Sequence, residues 1–337
     1  MKKLALITLL SLSLSVSAVE IRNFPTPETI SPELQKVVTR VNKTWNTAPQ
    51  TQEEWWDFAE SFAANNRPVV RALAQQYNVT IEDGSMAGVH IYTVTPPQIS
   101  PEHQNQVLLF FHGGGYVFGK DYSSLTEAVL VSALGKYKII AVDYRLAPKY
   151  PYPAAIEDGF AVYKELIKTI DPKNIGVFGT SAGGGMTLIL GLQIKDNNLP
   201  MPAALAPLTP WSQMGDLGDS YKTNEGVDNS IVSYSGWLDD VERVYANGND
   251  INSPYLSPIN GDVSGFPPTL LVSGTRDLFL SNTVRMQEKL LKADVETNLI
   301  VYEAQSHAQY YLAPTSPEAK FHVENLTKFF DKYLENK

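Results

Sequence analysis

The chain has 337 residues, long enough for one large domain or two smaller ones, and its 43% hydrophobic and 10% aromatic residues can supply a proper core. Its formal charge is −9, with no sustained Lys or Arg run after Lys2 and Lys3, which argues against a surface built to neutralise nucleic acid phosphates. The absence of cysteine excludes disulfides, a thiol nucleophile, thiolate metal sites and lipid attachment at a leader junction.

Residues 1–18 open with Lys2 and Lys3, continue through an apolar stretch and end on the small-residue site Val16-Ser17-Ala18. They read as a signal peptide cut after Ala18, because the apolar stretch falls short of the roughly 20 residues a membrane span needs. The mature protein is expected to be exported, to a periplasm or outside the cell, without stable membrane insertion. Residues 19–75 are helical in character: Trp55, Trp56, Ala59 and Phe62 recur at three- and four-residue spacings and form one apolar stripe, a core face or a cover over a site.

From residue 76 onward the pattern changes. The runs 107–111, 138–143, 174–179, 203–208, 269–274 and 297–303 are short and apolar, as expected of strands buried on both faces. Amphipathic stretches such as 154–170 and 283–293 lie between them, and a last helix is capped by Ser316 with Pro317 in its first turn. Alternating strand and helix predicts an α/β fold with a mainly parallel sheet covered on both sides. The polar, turn-rich and aromatic segment at about 210–260 breaks the alternation. Inserted at the carboxyl edge of a parallel sheet, it is expected to form part of a lid.

"FFHGGGYVFGKD" (110–121) admits two chemistries. From Gly114 it spells G-x-x-x-x-G-K, a phosphate-cradling loop, but Asp121 stands where that loop needs a hydroxyl for magnesium and would bring negative charge toward phosphates. From His112 it spells H-G-G-G, a backbone donor loop. The second reading demands a nucleophile at the end of a later strand, and Gly179-Thr180-Ser181-Ala182-Gly183 supplies a G-x-S-x-G there.

A serine hydroxyl needs a base to take its proton and a carboxylate to orient that base, in the chain order Ser, acid, His. Of five histidines, His90, His103 and His112 precede Ser181 and His322 lies inside the last helix, which leaves His307. Asp277, after the 269–274 run, is the acid; the rival Glu303 lies only four residues before His307 and would have to double back. Gly113, Gly114 and Gly115 are expected to offer two N–H donors to a tetrahedral oxyanion and Ala182 the third. His112 is assigned a structural role in shaping the loop.

These pieces resemble the α/β-hydrolase superfamily and, within it, the bacterial hormone-sensitive-lipase-like esterases: "HGGGY" (112–116), "VDYRLAP" (142–148), "YPYPAAIEDG" (150–159), "GTSAGG" (179–184), "SGTRDLFLS" (273–281) and the His307 loop, over roughly residues 80–337. The resemblance implies the triad Ser181, Asp277 and His307, the same oxyanion donors, a structural part for Asp143 and Arg145, and no metal or cofactor. It also implies a cap made of the 19–75 helices and the 210–260 insertion, and a homodimer through the last strand and nearby helix. Departures are Thr180 where many relatives have Asp, which is similar to the family's G-T-S-A-G branch, Lys149 for the usual Glu, and Ser281-Asn282 where a second acid is common. The expected activity is that of an exported serine carboxylesterase on short- to medium-chain esters. The same machinery would serve a lactone or an acetylated sugar or drug, and a binding protein on a retired scaffold is the expectation from a different class.

Overall fold

Residues 19–22, 24–40 and 48–335 are described by the computed structural model; the leader reading at 1–18 lies outside them. The six apolar runs form strands β3 (Val107–Phe111), β4 (Ile139–Val142), β5 (Ile175–Thr180), β6 (Ala204–Leu208), β7 (Thr269–Gly274) and β8 (Thr297–Tyr302). They are preceded by a hairpin of β1 (Thr80–Met86) and β2 (Val89–Thr95), giving one eight-stranded sheet in the order β1-β2-β4-β3-β5-β6-β7-β8. β2 runs antiparallel to β1 and β4, and the strands from β4 to β8 are mutually parallel.

The hairpin escapes the sequence pattern because β1, "TIEDGSM", is largely solvent-facing and carries no apolar run. Its turn residues Ala87 and Gly88 both have left-handed backbone, at φ 52° and 80°, as a tight two-residue hairpin requires. β3 to β7 are buried at every position, and successive side chains enter opposite core layers. Val107, Leu109 and Phe111 face one layer, Leu108 and Phe110 the other.

Ten helices complete the described chain: α1 (Pro32–Val38), α2 (Gln52–Tyr77), α3 (Thr126–Gly135), α4 (Ala154–Leu166), α5 (Ala182–Asp196), α6 (Ser220–Thr223), α7 (Asp239–Ala246), α8 (Leu280–Lys292), α9 (Gln309–Leu312) and α10 (Pro317–Tyr333). Buried residues of α4, α5 and α8 fill one face of the sheet, those of α3, α10 and the end of α2 the other. Each large side chain so buried stabilises the fold by about 1.5–3 kcal/mol. Ser316 caps α10 by accepting the Ala319 N–H at 3.1 Å. None of the described helices is long and apolar enough to cross a membrane.

α2 is fixed by a capping box between Thr51 and Glu54 and ends at Asn78 in left-handed backbone. Its apolar stripe divides. Trp55 and Ala59 are buried, Phe58 and Phe62 border a cavity above the sheet, and Trp56 turns outward, 36% exposed. Spacing alone does not separate Trp55 from Trp56, because adjacent helical positions differ by about 100° around the axis. The 210–260 segment crosses the same cavity with α6, α7 and irregular chain, placing Ile231, Trp237, Leu238 and Val241 in its wall. Both regions lie above the carboxyl ends of β3, β5, β7 and β8, where the site residues gather.

Candidate active site

Ser181 follows β5 and immediately precedes α5, with φ 63° and ψ −121°. This sharp turn lets its side chain stand out of the chain into a cavity of about 630 Å³. The turn fits only because its flanks are bare: a Cβ at Gly183 would run into the Phe111 carbonyl, and one at Gly179 into Phe111 and the Gly183 backbone. Ala182 is the first residue of α5, so its N–H belongs to the orphan donors at a helix start, where the peptide dipoles favour negative charge.

Gly113, Gly114 and Gly115 leave β3 and line the cavity beside Ser181. Gly114 has φ 112° and lies so close to the Phe118 carbonyl that a side chain would collide with it. His112 does not line that cavity. Its Nδ1 is 2.6 Å from the Gly113 carbonyl and its ring stacks on Tyr144 at 4.0 Å, while the Tyr144 hydroxyl donates to the His112 carbonyl at 2.7 Å. Burial holds the His112 imidazole below its ordinary pKa, so it stays neutral and braces the loop. Asp143 braces the far end, accepting the Asp121 N–H at 2.9 Å with His90 Nδ1 at 2.9 Å on its other oxygen. Arg145 forks onto Asp158 at 2.8–3.0 Å and does not line the cavity.

His307 sits in the loop after β8, 4% exposed, with Nδ1 3.1 Å from Asp277 Oδ1. Asp277, in the loop after β7, is fully buried. Burial by itself would raise its pKa, but the charge and hydrogen bond of His307, the Thr209 hydroxyl and the Phe279 N–H at 2.8 Å outweigh it and hold the carboxyl below its usual range. Ser273 also donates to it, at 2.8 Å. Glu303 is exposed and takes no part. On the far side of the ring, His307 Nε2 is buried with no hydrogen-bond partner among the described residues, and His307 and Ser181 line the same cavity.

Two residues of this constellation carry no sequence signal. Thr209, just past β6 with φ 35°, donates to Asp277 and lies 3.1 Å from His307 Nδ1. Asp228, in the middle of the lid segment, is 1% exposed and accepts four backbone N–H groups: Ser230 at 2.7 Å, Ile231 at 3.0 Å, Leu278 at 2.8 Å and His307 at 3.1 Å. It therefore ties the acid loop to the histidine loop. Burial, and next the charge of Asp277, push its carboxyl up to about 6. In sequence Asp228 reads as an ordinary turn residue, since its partners are 50 and 79 positions away.

The departures from the family pattern have local partners. Thr180 shares hydrogen bonds with buried Glu127 at 2.9 Å and Tyr310 at 2.8 Å, directly before Ser181 in the chain. Lys149 lies over the Trp56 and Tyr150 rings. Ser281 exchanges hydrogen bonds with Ser220 at 2.8 and 2.9 Å, and Asn282 donates to Tyr221 at 2.8 Å, so both fasten the lid segment to α8.

Fold and site together define an α/β protein of the hydrolase class, with Ser181, Asp277 and His307 on the loops after β5, β7 and β8. The chain belongs to the alpha/beta hydrolase fold family, whose model matches residues 108–311. The structure of esterase E25 superposes with a TM-score of 0.89 at 34% identity, covering 94% of this chain and 99% of that one. An esterase from the bacterial hormone-sensitive lipase family gives 0.79 at 27%, covering 90% and 99%. An acetyl-hydrolase of Streptomyces hygroscopicus is 27% identical over 301 residues, 87% of this chain and 94% of its own. An esterase of Acinetobacter venetianus is 28% identical over 271 residues, 78% and 87%.

Proposed function

We propose that the chain is an exported serine carboxylesterase that hydrolyses short- to medium-chain carboxylic esters through an acyl-enzyme. It is an ester-hydrolysing α/β hydrolase. The observation that carries it is the buried Asp277–His307 pair, its Nε2 without a hydrogen-bond partner among the described residues, beside the cavity that His307 and Ser181 both line.

In the first half-reaction His307 Nε2 takes the Ser181 proton as Oγ attacks the ester carbonyl, and the N–H groups of the 113–115 glycines and Ala182 receive the oxyanion. Collapse of the tetrahedral adduct expels the alkoxide, which takes the proton from His307 and leaves as alcohol. In the second, water gives a proton to His307 and attacks the acyl carbon, and Ser181 departs with that proton. Asp277 holds the imidazole orientation and stabilises its cation throughout.

Acyl length is limited by the roof. Phe58, Phe118 and Trp237 meet at centroid distances of 5.3–5.7 Å above Ser181, which favours short acyl groups over insoluble fat. The test is hydrolysis of p-nitrophenyl acetate, butyrate, octanoate and palmitate by the mature protein beside Ser181→Ala. The expected result is activity that falls toward palmitate and vanishes in the variant. No turnover of any ester by the folded protein, or an unaffected variant, overturns the reading.

Export rests on the leader at 1–18, and its check is whether the protein recovered outside the cytoplasm begins at Val19. A homodimer through the edge strand β8, where Val301 is 40% exposed, is read out by light scattering.

A further inference from the structure

The walls of the cavity differ in chemistry. One is aromatic and aliphatic: Phe58, Phe118, Trp237, Leu238 and Val241. The other is polar: Asn65 of α2, Ser124, Thr126 and Glu127 at the start of α3, and Tyr311 of α9. α2 packs on the 121–124 turn and α3, and α3 packs on α9, so the elements that carry these five side chains are neighbours. Among the described residues, no Lys or Arg lines the cavity.

Glu127 is the centre of that surface. It is 3% exposed, and Oε1 accepts the Thr180 hydroxyl at 2.9 Å. Oε2 has no hydrogen bond among the described residues, and Glu127 forms part of the cavity wall. Oε2 is not among the buried polar atoms that lack a partner, so it is open to the cavity, where a hydroxyl that enters can donate to it. The direction from which the donor comes follows from the reaction. His307 passes its proton to the leaving oxygen, so the alcohol half of an ester lies on the histidine side. The chain after His307 forms that side through Ala308, Tyr311 and Leu312 and leads directly to the α9–α3 contact.

We propose that the polar wall around Glu127 is a leaving-group subsite for a neutral polyhydroxy alcohol, one hydroxyl donating to Glu127 Oε2, with the acyl half against the aromatic wall. The preferred substrates are then short acyl esters of a polyol or sugar. An anionic alcohol is excluded by Glu127 and the absence of a cation in the wall. This inference rests on the esterase reading above.

The test uses two butyrates whose alcohol halves match in shape: glycerol 1-monobutyrate and 2-methylbutyl butyrate, in which methyl groups replace the two free hydroxyls. Wild type is expected to show kcat/KM at least about tenfold higher on the glycerol ester, as sites built to hydrogen-bond a hydroxyl reject analogues lacking it. Glu127→Gln should collapse that ratio toward 1. Asn65→Ala, which leaves the Thr180 hydrogen bond intact, should lower it severalfold and serves if Glu127→Gln fails to fold. A wild-type ratio near 1 overturns the subsite. So does a Glu127→Gln variant that slows both esters by the same factor, since Glu127 then acts only through Thr180 on the nucleophile. Absence of turnover on both esters and on p-nitrophenyl butyrate removes the esterase reading itself, and the subsite with it.

Discussion

The strand-end loops and the cap share one cavity but are held in different ways. The loops at 112–120, 181 and 275–279 and the loop carrying His307 are fixed by hydrogen bonds and by backbone approaches that admit only glycine. Where the cap borders the cavity it is built of ring contacts, Phe58 to Trp237 at 5.3 Å and Phe62 to Phe118 at 4.6 Å among them, while hydrogen bonds such as Ser281 with Ser220 fasten its base. Hydrogen bonds fix direction to within tens of degrees, whereas apolar contacts fix volume. A reaction that needs oriented donors belongs on the first, and selection among acyl groups belongs on the second. Substitutions in the two regions should therefore differ in kind as well as size.

After the loss of Ser181 itself, the largest effect is expected at the Asp277 carboxylate. Asp277→Asn keeps the shape but turns an amide N–H toward donors that the carboxylate accepts, which misorients His307. A fall in kcat of about 10⁴-fold on p-nitrophenyl butyrate is expected, with KM little changed. A fall below tenfold would show that the loops tolerate misorientation and would erase the contrast with the cap.

Asp228 sharpens the contrast because it lies in the cap insertion yet hydrogen-bonds like a loop residue. Asp228→Asn removes an acceptor shared by Leu278 and His307, and a displacement of the histidine loop approaching 1 Å costs about 10²-fold in kcat. Stability carries a second signature. The folded carboxyl titrates at about 6 and an unfolded Asp near 3.9, so the folded state binds the extra proton between those values. The group's contribution to stability thus falls as pH rises from about 4 to 6 and is constant above. Asn carries no such charge. The melting-temperature deficit of the variant is therefore expected to be larger at pH 5 than at pH 7.5, and a deficit that grows toward pH 7.5 would contradict the assignment.

The same contrast decides what could be read from the sequence. The strands announce themselves because burial on both faces leaves only apolar residues, and the site loops because glycine is required where Phe111 and Phe118 come within contact. The 277–307 pair follows from chain order. Asp228, Thr209 and Glu127 stay hidden, since each has a partner in the site at least 50 positions away and none needs a special neighbour. The β1–β2 hairpin stays hidden for another reason: its outer strand faces solvent and has no apolar signature. The division of the α2 stripe between Trp55 and Trp56 depends on packing that spacing does not encode.

A cap substitution should change fit rather than chemistry. Phe58 touches Trp55, Phe118 and Trp237 and borders the cavity. Phe58→Ala removes part of the apolar wall, which should raise KM for the butyrate about tenfold and shift preference toward octanoate, with kcat within a few fold. A kcat loss as deep as that of Asp228→Asn would mean that the roof also orients the loops.

The smallest effect on activity is expected at the opposite end of the sheet, where a hydrogen-bonded cluster resembles the site in construction but not in position. His103, 3% exposed and stacked on Tyr137 at 3.6 Å, lies 3.0 Å from Asp331, which also accepts the Tyr137 hydroxyl at 2.6 Å. The cluster ties the turns before β3 and β4 to α10. Burial raises the Asp331 carboxyl, but the hydrogen bonds from His103 and Tyr137 outweigh it and leave the pKa lowered. A lowered carboxyl contributes stability above its unfolded value, near 3.9, and loses it as pH falls through the folded value. Asp331 is 43% exposed, so solvent screening limits the gain to about 1 kcal/mol. Asp331→Asn should lower Tm by about 2 °C at pH 7, a difference that narrows below about pH 4, and should leave kcat unchanged. A loss of activity from this substitution would show that orientation at the carboxyl ends of the strands depends on the amino ends as well, and that the rigid region extends through the whole sheet.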